Sequence, residues 1–217
     1  VLNAGSARGV SDSVGLTNAE QPTLSGKGPA NMALVLKQDG AVLSTVTTDA
    51  NGDWHYTVSS LTEGVHGFSL HLGDTGLASP TLSVTVDRTA EKPGTPQLHA
   101  SSEASYPGNN STSDTKPRLT GSGAEDFAAI SIYADGVKVG SATADANGQW
   151  DAALTTALAI GTHQITVTQQ DHAGNVSALS SALALTIAAP LPASLAAPVL
   201  DTGSDSGGSD EDGLANA

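Results

Sequence analysis

The residues best placed to do chemistry in this chain are its acids. Asp and Glu number 22 against 8 Lys and Arg, a net charge of −14. Several sit beside glycine or asparagine: Asp39-Gly40, Asp135-Gly136, Asp49-Ala-Asn-Gly52, Asp145-Ala-Asn-Gly148 and Asp171-His-Ala-Gly-Asn175. Carboxylates and amide oxygens gathered in loops are the donors that a hard divalent cation requires, and calcium takes about six to eight of them. The competing reading is turn chemistry. Asp and Asn side chains accept hydrogen bonds from nearby backbone amides and so favour tight turns. The turn reading takes precedence at Asp39, Asp49, Asp135 and Asp145, and both readings stay open at Asp87 and Asp171.

Other chemistries find little support. The chain has no cysteine, which removes disulfides, thiol nucleophiles and zinc–thiolate sites. Serines are plentiful, but no Gly-x-Ser-x-Gly elbow or phosphate-binding glycine loop occurs. His66 and His163 each lie two residues after a glycine at matching positions, which points to structure, and the other four histidines form no spaced cluster. The eight basic residues are scattered in an acidic chain, a field that repels nucleic acid and anionic membranes. No apolar run reaches the roughly 20 residues of a membrane-spanning helix. The chain is therefore expected to be a non-enzyme and a monomer, without nucleic-acid partners or membrane insertion.

The elements that position these residues repeat. Pro22-Thr-Leu-Ser-Gly-Lys-Gly28 matches Pro117-Arg-Leu-Thr-Gly-Ser-Gly123, and Asp39-Gly40 matches Asp135-Gly136. Asp49-Ala-Asn-Gly-Asp-Trp54 matches Asp145-Ala-Asn-Gly-Gln-Trp150, and Gly64-Val-His66 matches Gly161-Thr-His163. The offsets are 95, 96, 96 and 97 residues, in unbroken order. A third copy begins at Val199, whose segment to Ala217 aligns with Val1 to Ala19. The expected organisation is one module over residues 1–90, a second over 91–190, and a linker with a truncated third start over 191–217. The sole methionine, Met32, is internal, so the chain reads as a piece of a longer polypeptide.

Within each unit the pattern is β. Ala33 to Lys37 and Ala129 to Tyr133 alternate with period two, which turns Leu34, Leu36, Ile130 and Ile132 inward. An Asp-Gly pair after each marks a two-residue hairpin. About seven short strands per unit, with turn signals every 8–12 residues or so, specify an all-β fold of tandem immunoglobulin-like sandwiches. No helix is expected. Aromatic residues make up only 3% of the chain, so each core is aliphatic with one tryptophan anchor, Trp54 or Trp150. The proline-bearing stretches 87–96 and 188–192 are stiff linkers.

The ordered set of Pro-Thr-Leu-Ser-Gly, Asp-Gly hairpin, Asp-Ala-Asn-Gly-x-Trp, Gly-x-His, Asp171-His-Ala-Gly-Asn175 and Val86-Asp87-Arg-Thr resembles the bacterial Ig-like repeats of giant surface adhesins. Those RTX-type proteins are acidic, cysteine-free and exported by type 1 secretion in Gram-negative bacteria. The resemblance implies a secreted, cell-surface spacer that projects an adhesive domain and supports attachment and biofilm formation. It also implies neighbouring modules of the same chain as partners, a host or matrix ligand reached through other domains, and calcium at joints between modules. The sequence departs from the pattern twice. Leu72-Gly-Asp-Thr-Gly-Leu77 replaces the Asp-x-Ala-Gly-Asn motif in the first unit, and Thr186-Ile-Ala-Ala189 replaces Thr-Val-Asp-Arg in the second.

In a seven-strand sandwich Asp87 leaves the bottom of the first unit. Glu125, Asp126, Asp145, Asp171 and Asn175 belong to loops at the top of the second. The expected metal set is Asp87, Asp171, Asn175, Asp126 and Asp145, with calcium as the cofactor. The acidic run from Asp205 to Gly213 lacks the spacing of a calcium loop and reads as a solvated end. Two other classes compete with the spacer: a module that binds a host glycan or protein itself, and an accessory module of a secreted polysaccharide-active enzyme.

Overall fold

The computed structural model describes residues 1, 15–73, 76–103 and 108–190, and all regular structure among them is β. The acidic run at 205–213 and the third start at 191–217 lie outside the described residues. The first half contains β1 (Leu16–Thr17), β2 (Thr23–Lys27), β3 (Ala33–Gln38), β4 (Ala41–Thr47), β5 (Asp53–Thr57), β6 (Gly64–His71) and β7 (Leu82–Val86). The second contains β8 (Gln97–Leu98), β9 (Ser111–Thr112), β10 (Arg118–Gly121), β11 (Ala129–Ala134), β12 (Val137–Thr143), β13 (Trp150–Ala153), β14 (Gly161–Gln170) and β15 (Leu183–Ile187).

Each half is a sandwich of two sheets. One sheet runs β1-β7-β6-β3-β4 in the first half, matched by β9-β15-β14-β11-β12 in the second. The facing sheet is β2-β5, matched by β8-β10-β13. Val1 exchanges both backbone hydrogen bonds with Ser25, at 2.8 and 2.9 Å, in the place that β8 takes beside β10. Alternation sets the inner faces. Leu34, Leu36, Ile130 and Ile132 are at most 5% exposed. Two hydrophobic clusters result, one between Leu24 and Val86 and the other between Leu98 and Ile187. Each contains one tryptophan.

The turn residues explain the repeated landmarks. Asp39 and Gly40 (φ 51° and 84°) and Asp135 and Gly136 (φ 51° and 82°) form turns with two left-handed residues, the hairpin type that matches strand twist. In the two Asp-Ala-Asn-Gly turns the glycines supply the positive φ, 78° at Gly52 and 70° at Gly148. A Cβ on Gly52 would meet the Gly28 carbonyl oxygen at 2.3 Å, and one on Gly148 the Ala124 oxygen at 2.0 Å. The Pro-x-Leu-x-Gly motif has its own reason. Gly26 pairs across the sheet with Trp54, and Gly121 with Trp150, so each indole lies over a glycine with no side chain. Both indole N–H groups are buried without an acceptor, a cost offset by burial of the large rings.

The parallel strands β1 and β9 were not expected. Each is two residues long and extends the larger sheet by pairing with β7 or β15. Runs that short carry no alternation for a reader of the sequence to detect.

Candidate functional site

The polar contacts that join the two halves start where β7 ends. The Asp87 amide donates to the Thr17 carbonyl (2.9 Å), which anchors the departing chain to β1. Glu63 accepts the Arg88 amide at 3.0 and 3.3 Å, and the Arg88 guanidinium donates to the Leu61 carbonyl at 2.6 Å. The linker is thus held to the bottom of the first module over its first residues.

It then meets the top of the second module. Gln169, fully buried at 0% exposure near the end of β14, is the hub. Its side-chain oxygen accepts the Glu125 amide (2.7 Å), and its side-chain nitrogen donates to the Glu91 carbonyl (2.7 Å) and to Glu125 Oε1 (3.2 Å). Glu125 Oε1 also accepts the Glu91 amide at 2.9 Å. A short distance along, the Gly94 amide donates to the Ser122 carbonyl at 3.0 Å. Beside this hub, Asp171 shapes the loop after β14. Its Oδ1 accepts the Asn175 amide and its Oδ2 accepts the Asn175 side-chain nitrogen, both at 2.8 Å. The same nitrogen donates to the Asp87 carbonyl at 2.9 Å. Asp171 is only 7% exposed, so these bonds satisfy a carboxylate withdrawn from water.

Negative charge accumulates here. Burial pushes the Asp87 carboxyl above the ordinary aspartate range, and the charges of Asp171 and Glu63 push it further. The neighbouring cation, Arg88, turns its guanidinium to the Leu61 carbonyl. The oxygens of the Asp87, Asp171 and Glu63 carboxylates and of the Asp87 carbonyl are of the type a hard cation takes, while Asn175 turns its side-chain nitrogen, rather than its oxygen, toward Asp171 and Asp87. As they stand, no three acidic or histidine side chains among the described residues are grouped closely enough to hold a metal.

Of the five expected metal ligands, Asp87, Asp171 and Asn175 come together. Asp126 is exposed on the loop that carries Glu125. Asp145 spends its Oδ1 on the amides of Asn147 (2.8 Å) and Gln149 (2.9 Å), the turn role. Asp49 does the same for Asn51 and Asp53, which lowers its carboxyl pKa. Sequence reasoning missed Gln169 and Glu63. Gln169 had a signal: it continues the inward register of Ile165 and Val167, and a polar residue there needs a buried partner. Glu63 had none, since it is an exposed loop residue.

The paired histidines are structural latches. His163 contacts Asp135 Oδ2 through Nδ1 (2.7 Å) and the Ala159 carbonyl through Nε2 (3.0 Å), while Asp135 Oδ1 accepts the Gln164 amide (2.9 Å). With acceptors on both ring nitrogens, the imidazolium form is favoured. The pKa of His163 is accordingly raised, first by the Ala159 carbonyl and then by Asp135. His66 and Asp39 repeat the arrangement, with Gly67 as the amide donor.

No curated protein matches the chain significantly in sequence. Among solved structures, the fibronectin(III)-like modules of Clostridium thermocellum CbhA are 15% identical, with a TM-score of 0.45, covering 87% of this chain and 94% of that one. A tetra-tandem repeat from the extending region of a large adhesion protein is 21% identical with a TM-score of 0.35, covering 81% of this chain and 48% of that one. The BSP domain of a biofilm-associated protein is 15% identical with a TM-score of 0.32, covering 82% of this chain and 29% of that one. The family match in sequence is more direct, since the bacterial Ig-like domain accounts for residues 1–88 and again for 89–188. The chain belongs to the bacterial Ig-like domain family, which it carries in two consecutive copies.

Proposed function

We propose that this chain is a spacer segment of a large, secreted bacterial surface adhesin, serving cell attachment and biofilm formation by holding successive modules at a fixed angle. The observation that carries the reading is the joint. Asn175 donates to the Asp87 carbonyl and Gln169 to the Glu91 carbonyl, so two buried or half-buried side chains of one module hold the backbone leaving the other. Each such bond is worth about 0.5–1.5 kcal/mol net. Pro93 and Pro96, both buried, limit the linker further. A flexible tether would have no use for a fully buried glutamine at its landing point.

Calcium belongs to the same proposal. When bound, it would supply positive charge where the Asp171 and Glu63 carboxylates bear on Asp87. Asp87, Asp171, Asn175 and Glu63 would hold it, with Asp126 on the adjacent loop and Asp145 the weaker candidates. The test is small-angle scattering of the 217-residue chain with calcium and with chelator, paired with calorimetric titration. The expected result is one narrow, extended particle distribution that stiffens with calcium, together with a saturable binding heat. Scattering from a freely jointed pair in both conditions would overturn the spacer reading, and the absence of binding heat would remove calcium from it.

A further inference from the structure

The top of the first module differs in chemistry from the top of the second. Counting from the strand-opening glycines Gly64 and Gly161, Leu72 stands where the second module has Gln169. The amide bonds Gly28 to Gly52 and Ala124 to Gly148 are equivalent, which places Pro29 opposite Glu125. The last loop also differs. Reciprocal bonds close it between Leu70 and Ser79 in the first module and between Val167 and Ser180 in the second, so the first loop is shorter. Where the second module offers Glu125, Gln169, Asp171 and Asn175, the first has a largely apolar cleft of about 210 Å³ lined by Pro29, Leu34, Leu70, Leu72, Leu77 and Ala78, with Lys27, His71 and Ser79 as its polar members. Leu72 is 46% and Leu77 84% exposed.

The linkers differ in the same sense. The linker entering the polar top, residues 87–96, carries Asp87, Arg88, Glu91 and Lys92. The linker that follows the second module, Ala188-Ala-Pro-Leu-Pro-Ala-Ser-Leu-Ala-Ala-Pro198, carries no charge. What comes after it aligns with the start of the first module, from Val199-Leu200 matching Val1-Leu2 to Gly213-Leu-Ala-Asn-Ala217 matching Gly15-Leu-Thr-Asn-Ala19. In sequence, therefore, the uncharged linker leads into a module that begins like the one with the apolar top.

We propose that the apolar cleft on the first module is the docking site for the uncharged linker, residues 188–198, of a preceding copy of this two-module unit. This inference rests on the tandem-spacer reading. The one joint the structure contains shows the mode: a linker lies on the top of the next module and is matched to it in polarity. Joints of two kinds then alternate along the array. The polar joint holds backbone carbonyls through Gln169 and Asn175 and carries the acids that a cation would neutralise. The apolar joint buries Leu and Pro side chains and is indifferent to calcium and to salt. Matching each linker to its own landing surface also disfavours wrong pairings, because the charged linker would lose hydration against Pro29, Leu72 and Leu77, while the cleft's one lysine, Lys27, is already paired with Asp53.

The test is a methyl NMR titration of the leucine-labelled 217-residue chain with two synthetic peptides, one of residues 187–198 and one of residues 86–97. Within an array, tethering presents a linker at an effective concentration of order millimolar, so titration to about 5 mM is the relevant range. The 187–198 peptide is expected to shift the Leu72 and Leu77 methyl signals. Leu72→Gln, and separately Leu77→Gln at a position too exposed to affect folding, should weaken that response several-fold, and the 86–97 peptide should leave these signals in place. The proposal is overturned by an unshifted Leu72 and Leu77 at the end of the titration, by equal shifts with both peptides, or by shifts that both substitutions leave intact. None of these outcomes alters the scattering of the single chain, so the spacer reading stands or falls separately.

Discussion

Adding one carbon to Gly121 tests whether the tryptophan-on-glycine contact organises the core. An alanine Cβ there would sit 2.5 Å from Cε2, Cζ2 and Nε1 of Trp150. Carbon atoms pack best at about 3.5–4.0 Å, so roughly 1 Å of displacement is needed. Trp150 is 3% exposed and belongs to the second core cluster, so the ring can move only by displacing its neighbours. Overpacking of this kind costs about 1–3 kcal/mol, and three simultaneous close contacts place Gly121→Ala near the upper end. For a module of this size that lowers the melting temperature by roughly 10–20 °C. Gly26→Ala approaches Trp54 no closer than 2.9 Å and should cost less, about 1–2 kcal/mol. Gly140→Ala is the control. Its Cβ would meet Ile132 and Leu154 at an ordinary 3.5 Å, and its stability should stay within about 1 kcal/mol of the parent. Denaturant unfolding followed by Trp150 fluorescence, in a Trp54→Phe background, measures the effects at positions 121 and 140, and the mirror background with Trp150→Phe measures Gly26→Ala. Equal stability of Gly121→Ala and Gly140→Ala would refute the reasoning.

Three further outcomes are expected. The pKa of His163 is raised in the folded state, so its contribution is fully present below the unfolded histidine value and is lost as pH rises through the folded one. The melting temperature of the second module should therefore fall as pH rises above the ordinary histidine value of about 6.5, and His163→Leu should flatten that slope. The Asp87 carboxyl is raised, so its charge destabilises the joint at neutral pH. Asp87→Asn should increase thermal stability in chelator and reduce any gain from calcium, as scanning calorimetry would record. Asn175→Ala removes the side-chain bonds to the Asp87 carbonyl and to Asp171 Oδ2, and keeps the backbone amide that donates to Asp171 Oδ1. It should cost about 1 kcal/mol and broaden the particle distribution in scattering, while each module's own unfolding signal persists.

Much of the fold was legible because the physics is local and written twice. The Asp-Gly hairpins, the glycine of Asp-Ala-Asn-Gly and the tryptophans are each fixed by a φ value or a close approach that few other residues satisfy, so they recur at constant spacing. The alternation of Leu34 with Leu36 and of Ile130 with Ile132 gave the inner faces. What stayed hidden depends on partners distant in sequence. β1 and β9 exist only because β7 and β15 offer a free edge. The joint was half legible. Topology brought Asp87, Asp171 and Asn175 together, but Asp145 is held in its own turn. The hub Gln169 stayed hidden because one polar residue in an apolar alternation looks like any other strand position until Glu91 and Glu125, distant in sequence, are placed against it.

The central claim is that the two modules are held by a built joint rather than tethered. Residual dipolar couplings of the 217-residue chain, in weakly aligning medium with calcium present, test it most directly. The account predicts one shared alignment tensor, with equal magnitude and orientation fitted from residues of either module. Two tensors of different magnitude, each fitting only its own module, would contradict it.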